Sequence, residues 1–307
     1  METVKNQAVL VTGARGFIGQ AVCKPLQREG YRVLALDQSR AGGEPGTTPG
    51  GEIQCDISDA ARLRSVFEAE RIEAIIHLAA ILPTAAQREP VRATQVNILG
   101  SLNLLEMARR FGVRRMVFGS SLSVYGTCPP DDRVCETHQA APEDLYGAAK
   151  LYVERLGEAS RSRDGLEFVA LRIGRVVGEG ARSATSAWRS EIFERLQAGE
   201  AAEIVLPFVA HERVLLLHVA DVARMLNLLL QAPRLSHMIY NAPCESVIVS
   251  ELKSAVESLN PKIHVKLGNE EAVGNPRRLD ASRFEQEFDF QTVPIFDQLK
   301  RAAEVKA

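Results

Sequence analysis

The sequence predicts an α/β fold, a doubly wound parallel sheet followed by a smaller mixed α/β C-terminal lobe. Three observations carry this. Short apolar bursts alternate with amphipathic stretches through the first half, the pattern of repeated strand–helix units on a parallel sheet. The run Gly13-Ala14-Arg15-Gly16-Phe17-Ile18-Gly19 stands where the first strand must turn sharply into the first helix. Beyond residue 174 the alternation breaks. A chain of 307 residues can bury one large core or two unequal ones, and the division is placed at 1–174 and 175–307, with a crevice between the parts and some later segments returning to the sheet.

The first strand is read over 8–11, and the helix behind it over 17–28. A second strand over 32–36 ends at Asp37, and residues 38–52, rich in Gly, Pro, Ser and Thr, form a surface loop. A short third strand ends at Cys55-Asp56. The helix that follows, starting near Asp59, turns Leu63, Val66 and Phe67 inward. Strand four covers 74–78. Apolar Val96, Leu99, Leu102, Leu105 and Ala108 recur at helical steps and predict one long helix over 91–111. Strand five is placed at 116–119, a helix at 142–161 and strand six at 168–173. In the lobe, a loop leads to a helix over 187–198, a strand over 214–217, a helix over 219–230 and a small strand over 262–267.

Composition excludes several classes of function. Lys+Arg total 37 against Asp+Glu 39, so no excess charge draws the chain to nucleic acid or an anionic membrane. The longest apolar runs, 214–219 and 225–230, are far too short to span a bilayer. The N-terminus enters a strand directly after a charged stretch, which argues against a signal peptide. Five scattered cysteines predict free thiols in a reducing cytoplasm, and no spacing points to a metal.

The chemistry lies in three motifs read together. Gly13, Gly16 and Gly19 allow a tight turn and close approach of a pyrophosphate to the helix N-terminus; the other reading is a plain strand-to-helix turn. Asp37, about twenty residues further, suits an adenosine ribose and repels a 2′-phosphate, which favours NAD, while nearby Arg40 keeps NADP open. Asp56 has two readings, contact with the adenine amino group or a turn carboxylate. Tyr146 and Lys150 fall on one helix face, where the ammonium would lower the phenol pKa so that it exchanges a proton near neutrality. Ser121 would hold the same substrate oxygen. His77, ending a buried strand, reads as structural, and Arg172 as a brace.

With these motifs in order, the chain resembles the extended short-chain dehydrogenase/reductase family of the NAD-dependent epimerase/dehydratase type, with a Rossmann-like fold. The glycine turn with Phe17 and Ile18, Asp37, the pair Asp56-Ile57, the run His77-Leu78-Ala79-Ala80 and Asn97 of Asn97-Ile98-Leu99-Gly100 match that family's cofactor-binding pattern. The run Ser120-Ser121-Leu122-Ser123-Val124-Tyr125-Gly126 matches with one extra residue, which gives Ser121 the catalytic place and leaves Ser123 a supporting or substrate-facing hydroxyl. The resemblance implies that Ser121, Tyr146 and Lys150 are catalytic, that Tyr146, Lys150 and Ile173 also line the NAD site, and that protomers pair into a homodimer through the helices at 91–111 and 143–161.

The sequence departs from the nucleotide-sugar members. Arg175 stands where they carry an asparagine, Pro207-Phe208-Val209-Ala210 replaces a G-D-G turn, and Val214 replaces an arginine before His218-Val219-Ala220-Asp221-Val222-Ala223; Arg213 would compensate only through a bulge. The stretch Ser183-Ala184-Thr185-Ser186-Ala187-Trp188 looks more like members that oxidise small hydroxy acids or threonine, with Ser186 facing substrate. Arg175 suits a carboxylate as a two-pronged partner, or a surface salt bridge. The leading expectation is an NAD-dependent dehydrogenase of a small polar secondary alcohol. The alternative is a UDP-sugar type epimerase or dehydratase, and a third reading is a cofactor-bound regulator.

Overall fold

The computed structural model describes residues 7–39, 51–129, 131–180 and 186–305. Arg40 and Ser183, Ala184 and Thr185 of the serine-rich stretch lie outside these residues.

The first unit is β1 (Ala8–Thr12), α1 (Phe17–Arg28) and β2 (Arg32–Asp37), followed by β3 (Glu52–Gln54), α2 (Ala60–Ala69) and β4 (Ala74–His77). Asp59 caps α2, its carboxylate accepting from the Arg62 amide at 2.9 Å. The predicted long helix is divided. It comprises α3 (Pro83–Arg88), α4 (Pro90–Thr94), a π-helical turn over Gln95–Gly100 and α5 (Ser101–Arg110). The π turn inserts an extra residue where Asn97 and Ser101 do polar work, a common place for such a turn.

Strand β5 (Arg115–Ser121) carries the serine run, and the small β6 (Arg133–Val134) follows. Helix α6 (Leu145–Asp164) starts three residues later than expected, because Asp144 takes extended backbone and its carboxylate accepts from the Gly147 amide at 2.6 Å. It runs on to Gly165, whose left-handed backbone ends it. Then come β7 (Glu167–Ile173), β8 (Arg175–Val177), α7 (Trp188–Ala198), β9 (Ala202–Phe208), β10 (Arg213–His218) and α8 (Val219–Gln231). The chain closes with β11 (Ile239–Asn241), β12 (Glu245–Ile248), α9 (Val249–Leu259), β13 (Ile263–Glu270), β14 (Arg278–Leu279), α10 (Ser282–Phe288) and α11 (Ile295–Glu304).

Seven strands form one parallel sheet in the order β11-β7-β5-β4-β1-β2-β3. The order reverses between β1 and β4, the crevice where such sheets bind ligands. Two apolar layers cover the sheet. One is built on Leu10, Leu34, Phe118 and Phe168, the other on Val9, Val117, Leu226 and Tyr240. Helix α8 and strand β11, although late in sequence, belong to this sheet. Arg115 on β5 anchors α8: its wholly buried guanidinium donates to the carbonyls of Leu229, Leu230 and Ala232 at 2.6–2.9 Å, satisfying the helix C-terminus.

The chain leaves the sheet at Gly174. Ile173 still pairs with Ser121, whereas Arg175 already pairs with Leu216 of β10 in a second sheet, β12-β10-β8. A third core, with Trp188, Phe193, Ile204 and Leu216, holds the lobe together. The lobe therefore hangs directly from the strand beside the serine run. Among the described residues no helix is long and apolar enough to cross a membrane.

Candidate active site

Gly13 has φ +67, and a Cβ there would come within 2.7 Å of the Ala79 amide nitrogen, while a Cβ on Gly19 would strike the Gly13 carbonyl. Only glycine lets this turn nest against the segment after β4 and leave its backbone open to a bulky phosphate. Phe17 and Ile18, at the start of α1, pack partly buried beneath it. The Asp37 carboxylate accepts from the Arg15 amide at 3.1 Å and from the Ser39 amide and hydroxyl at 3.0 and 2.8 Å, which fixes it beside the turn. This cradle fits a dinucleotide: glycine backbone for the pyrophosphate, a placed carboxylate for the ribose.

Asp56 is already occupied. Its carboxylate accepts from the Ser58 amide and hydroxyl at 2.9 and 2.7 Å and pairs with the Arg92 guanidinium. The turn-carboxylate reading describes these contacts, and Arg92, which the sequence did not single out, closes this edge by also reaching Ser58 and Gln38. Ile57 beside it is buried.

His77 sits in a closed hydrogen-bond chain. The amides of Leu78 and Ala79 donate to Thr12 Oγ1, Thr12 bonds His77 Nδ1 at 2.7 Å, His77 Nε2 bonds Ser101 Oγ at 2.9 Å, and Ser101 Oγ donates to the Asn97 carbonyl at 2.7 Å. Since Ser101 spends its proton on Asn97, His77 must donate from Nε2 and accept at Nδ1. Burial, aided by the charge of Lys150, pushes His77 down to about 3, so the ring is neutral. Its role is to fix the Leu78-Ala79-Ala80 segment against the glycine turn. Asn97 pins the same loop with two bonds to the Ile81 backbone, at 2.7 and 2.9 Å.

The structure brings Ser121, Tyr146 and Lys150 together. Ser121 acts on the Tyr146 phenol, favouring its ionised form, and Lys150 Nζ lies 5.4 Å from the Tyr146 ring centre. Lys150 Nζ also donates to the Gly119 carbonyl at 2.6 Å and sits 4.5 Å over the Phe118 ring. Ser121 Oγ donates to Ser123 Oγ and accepts from the Ser123 amide, both at 3.1 Å. Ile173 is in register with Ser121 one strand away.

The expected lowering of the phenol does not hold in this state. Burial, the largest effect, pushes Tyr146 up; Asp144 adds to this, and Ser121 opposes it. Burial likewise pushes the Lys150 ammonium down to about 7 against the pull of Glu154. Glu154, one turn beyond Lys150 and buried, was missed at the sequence level, although the four-residue step was visible. It accepts from Ser120 Oγ at 2.6 Å and takes a two-pronged pair from Arg172 at 3.0 and 2.7 Å.

Lys150 loses its proton near 7 in the folded chain but near about 10.4 when unfolded, so the unfolded chain holds more protons between those values and stability rises with pH across that window. The stability gained by Lys150→Met should therefore be largest below about pH 7 and shrink toward about pH 10. Thermal melts of both proteins across that range check this; a Tm difference independent of pH would contradict it.

Arg175 opens β8, its Nη2 3.4 Å from the Val273 carbonyl and its guanidinium 5.7 Å from the Phe208 ring centre. Burial lowers its pKa, with Glu212 opposing. Ser186 lies partly exposed just before α7, with no hydrogen bond to the trio among the described residues. Strand β10 pairs with β12 in unbroken register from Arg213 onward, so no bulge brings Arg213 into the place of the buried Val214.

Residues 9–242 match the NAD dependent epimerase/dehydratase family. Among curated relatives, a UDP-glucose 4-epimerase from Lacticaseibacillus casei is 34% identical over 173 residues, 55% of this chain and 52% of that protein. The chain spans about half the length of the curated relatives it matches. Among solved structures, an L-threonine dehydrogenase from Cupriavidus necator superposes with a TM-score of 0.86 at 21% identity, covering 97% of this chain and 99% of that one, a likeness of fold. A UDP-glucose 4-epimerase from Thermus thermophilus, in complex with NAD, gives a TM-score of 0.82 at 26% identity, covering 97% and 98%. Glycine cradle, placed carboxylate and family match converge: the chain belongs to the NAD dependent epimerase/dehydratase family, of the extended short-chain dehydrogenase/reductase type.

Proposed function

We propose that the chain oxidises the secondary alcohol of a small hydroxy acid or sugar acid, or reduces the matching ketone. The observation that carries this reading is Arg175. It emerges two residues after Ile173, the register partner of Ser121, and among the described residues no carboxylate pairs with it. A substrate carboxylate on Arg175 would place the neighbouring carbinol toward Ser121 and Tyr146. The absent G-D-G turn and the buried Val214 support a compact substrate over a nucleotide sugar.

Bound NAD supplies the hydride acceptor and, when oxidised, a positive charge. Ser121 holds the alcohol oxygen. Tyr146 takes its proton as the hydride leaves the same carbon, and a C=O bond remains. Burial, with Asp144 adding to it, holds the phenol protonated, so its ionisation needs the cationic surroundings that Lys150 and the oxidised cofactor would provide. Lys150 fixes the helix to Gly119 and would meet the nicotinamide ribose.

A thermal-shift screen with NAD present tests the substrate class, since ligands of the native state raise Tm. Hydroxy acids or sugar acids should raise it; UDP raising it in the wild type and not in Arg175→Ala would put the UDP-sugar epimerase or dehydratase reading first. The cofactor follows from Asp37. Asp37→Ala should weaken NAD more than NADP in binding titrations, and a wild type that binds NADP about tenfold tighter would overturn the charge argument.

The chain pairs with a second copy through α4–α5 and α6. Val91, Leu99, Leu102, Leu145 and Tyr152 on these helices are 44–72% exposed, an apolar surface suited to a four-helix interface. Leu102→Glu with Tyr152→Glu should halve the mass measured by light scattering. An unchanged dimer mass, or a monomeric wild type, would contradict this.

A further inference from the structure

We propose that Arg189 joins Arg175 to form a site for a doubly charged anionic group, so that the substrate carries a second acidic charge beyond the carboxylate assigned to Arg175. The proposal rests on the reading of Arg175 given above.

The two guanidiniums belong to adjoining parts of the lobe. Arg175 begins β8, and Arg189 lies in the first turn of α7, whose Arg189 carbonyl accepts from the Gly178 amide at 3.0 Å just past the end of β8. The Arg175 guanidinium lies 5.7 Å from the Phe208 ring centre, Phe208 packs edge-on against Trp188 at 6.1 Å, and the Arg189 guanidinium lies 5.8 Å from the Trp188 ring centre. Burial, with the charge of Arg175 added to it, pushes Arg189 down to about 10. Among the described residues, Arg189 Nε is buried without a hydrogen-bond partner, and its guanidinium lies over the ring of the neighbouring Trp188.

The nearby carboxylates are committed elsewhere. Glu179 accepts from Gln197 at 2.7 Å, Glu194 from the Gly180 amide at 3.1 Å, and Glu191 faces Arg195 at 3.8 Å. Glu212, nearest to Arg175 in effect, is forked to Arg277 at 2.9 and 3.1 Å and accepts from the amides of Ala272 and Arg213. Among the described residues, two guanidiniums whose charge burial disfavours thus lie over neighbouring rings of one aromatic cluster, and no ion pair neutralises either. Such a pair is unfavourable until an anion of matching charge enters.

The site also lies next to the chemistry. Gly174, which precedes Arg175, packs so closely that a Cβ there would come within 2.9 Å of Cys244 Sγ and 3.1 Å of Leu122, the residue after Ser121. A dicarboxylate and a phosphate ester both supply the required charge, and guanidiniums bind both in the same forked manner.

The test is calorimetric titration of the full chain, saturated with NAD and held at fixed ionic strength, with acetate, malonate and inorganic phosphate. Malonate or phosphate should bind about tenfold or more tighter than acetate, the scale of one hydrogen bond to a charged group. Arg189→Gln should abolish that margin and leave NAD and acetate binding unchanged, and Arg189→Lys should keep part of it. A larger margin for malonate identifies a dicarboxylate, and a larger one for phosphate a phosphoryl group. Malonate and phosphate binding no tighter than acetate, or a margin that survives Arg189→Gln, overturns the proposal while leaving Arg175 in place. Acetate binding indifferent to Arg175→Gln would instead remove the underlying reading.

Discussion

Tyr146→Phe lowers kcat by roughly 10²-fold or more, because the ring stays in place while the group proposed to exchange a proton with the substrate oxygen is gone. The phenol lies beside Lys150 and feels Ser121, so its loss leaves a serine hydroxyl that can orient but not accept the proton. The glycine cradle and Asp37 are untouched, so NAD affinity changes little. Lys150→Ala should lower both kcat and NAD affinity, since the same ammonium braces the strand at Gly119 and would hold the ribose. A Tyr146→Phe enzyme with near-normal kcat on its identified substrate would remove the proton-transfer mechanism.

Arg175→Lys raises KM about tenfold or more for an acidic substrate and changes kcat little. Lysine keeps the charge but loses the planar two-pronged fork, a contact alike in ground and transition states. A neutral analogue lacking the carboxylate should bind equally poorly to both proteins. Arg175→Ala should act in the same direction and more strongly, with Glu212 still held by Arg277. Equal KM for the acidic substrate in wild type and variant would show that Arg175 is structural, bridging Val273 and Phe208 only.

Much of the architecture was legible because local signals agreed with the global fold. The first strand–turn–helix reads directly from three glycines between an apolar run and an amphipathic one, and α1 spans the predicted residues. The division of the helix at 91–111 was not legible. The apolar spacing continues unbroken through residues 96–108, and the π turn comes from tertiary demands: Asn97 reaching Ile81, and Ser101 completing the chain to His77. The start of α6 was misplaced because Pro142 reads as a helix opener, whereas Asp144 supplies the cap.

At the candidate site, spacing brought Ser121, Tyr146 and Lys150 into view, and the structure places Lys150 beside the Tyr146 ring. Spacing could not give the sign of the phenol shift, which depends on how deeply the group is buried. Nor could it reveal partners distant in sequence: Arg92 reaches Asp56 from 36 residues away, and the Arg189 carbonyl accepts from the Gly178 amide.

The most direct test of hydride transfer to an external small acid is the absorbance of reduced nicotinamide during turnover. Net NADH should accumulate with a small hydroxy acid, and this accumulation should be lost in Tyr146→Phe. Interconversion of a UDP-sugar with no net NADH, and no NADH from any hydroxy acid, would contradict it and place the chain among the enzymes that regenerate NAD within each cycle.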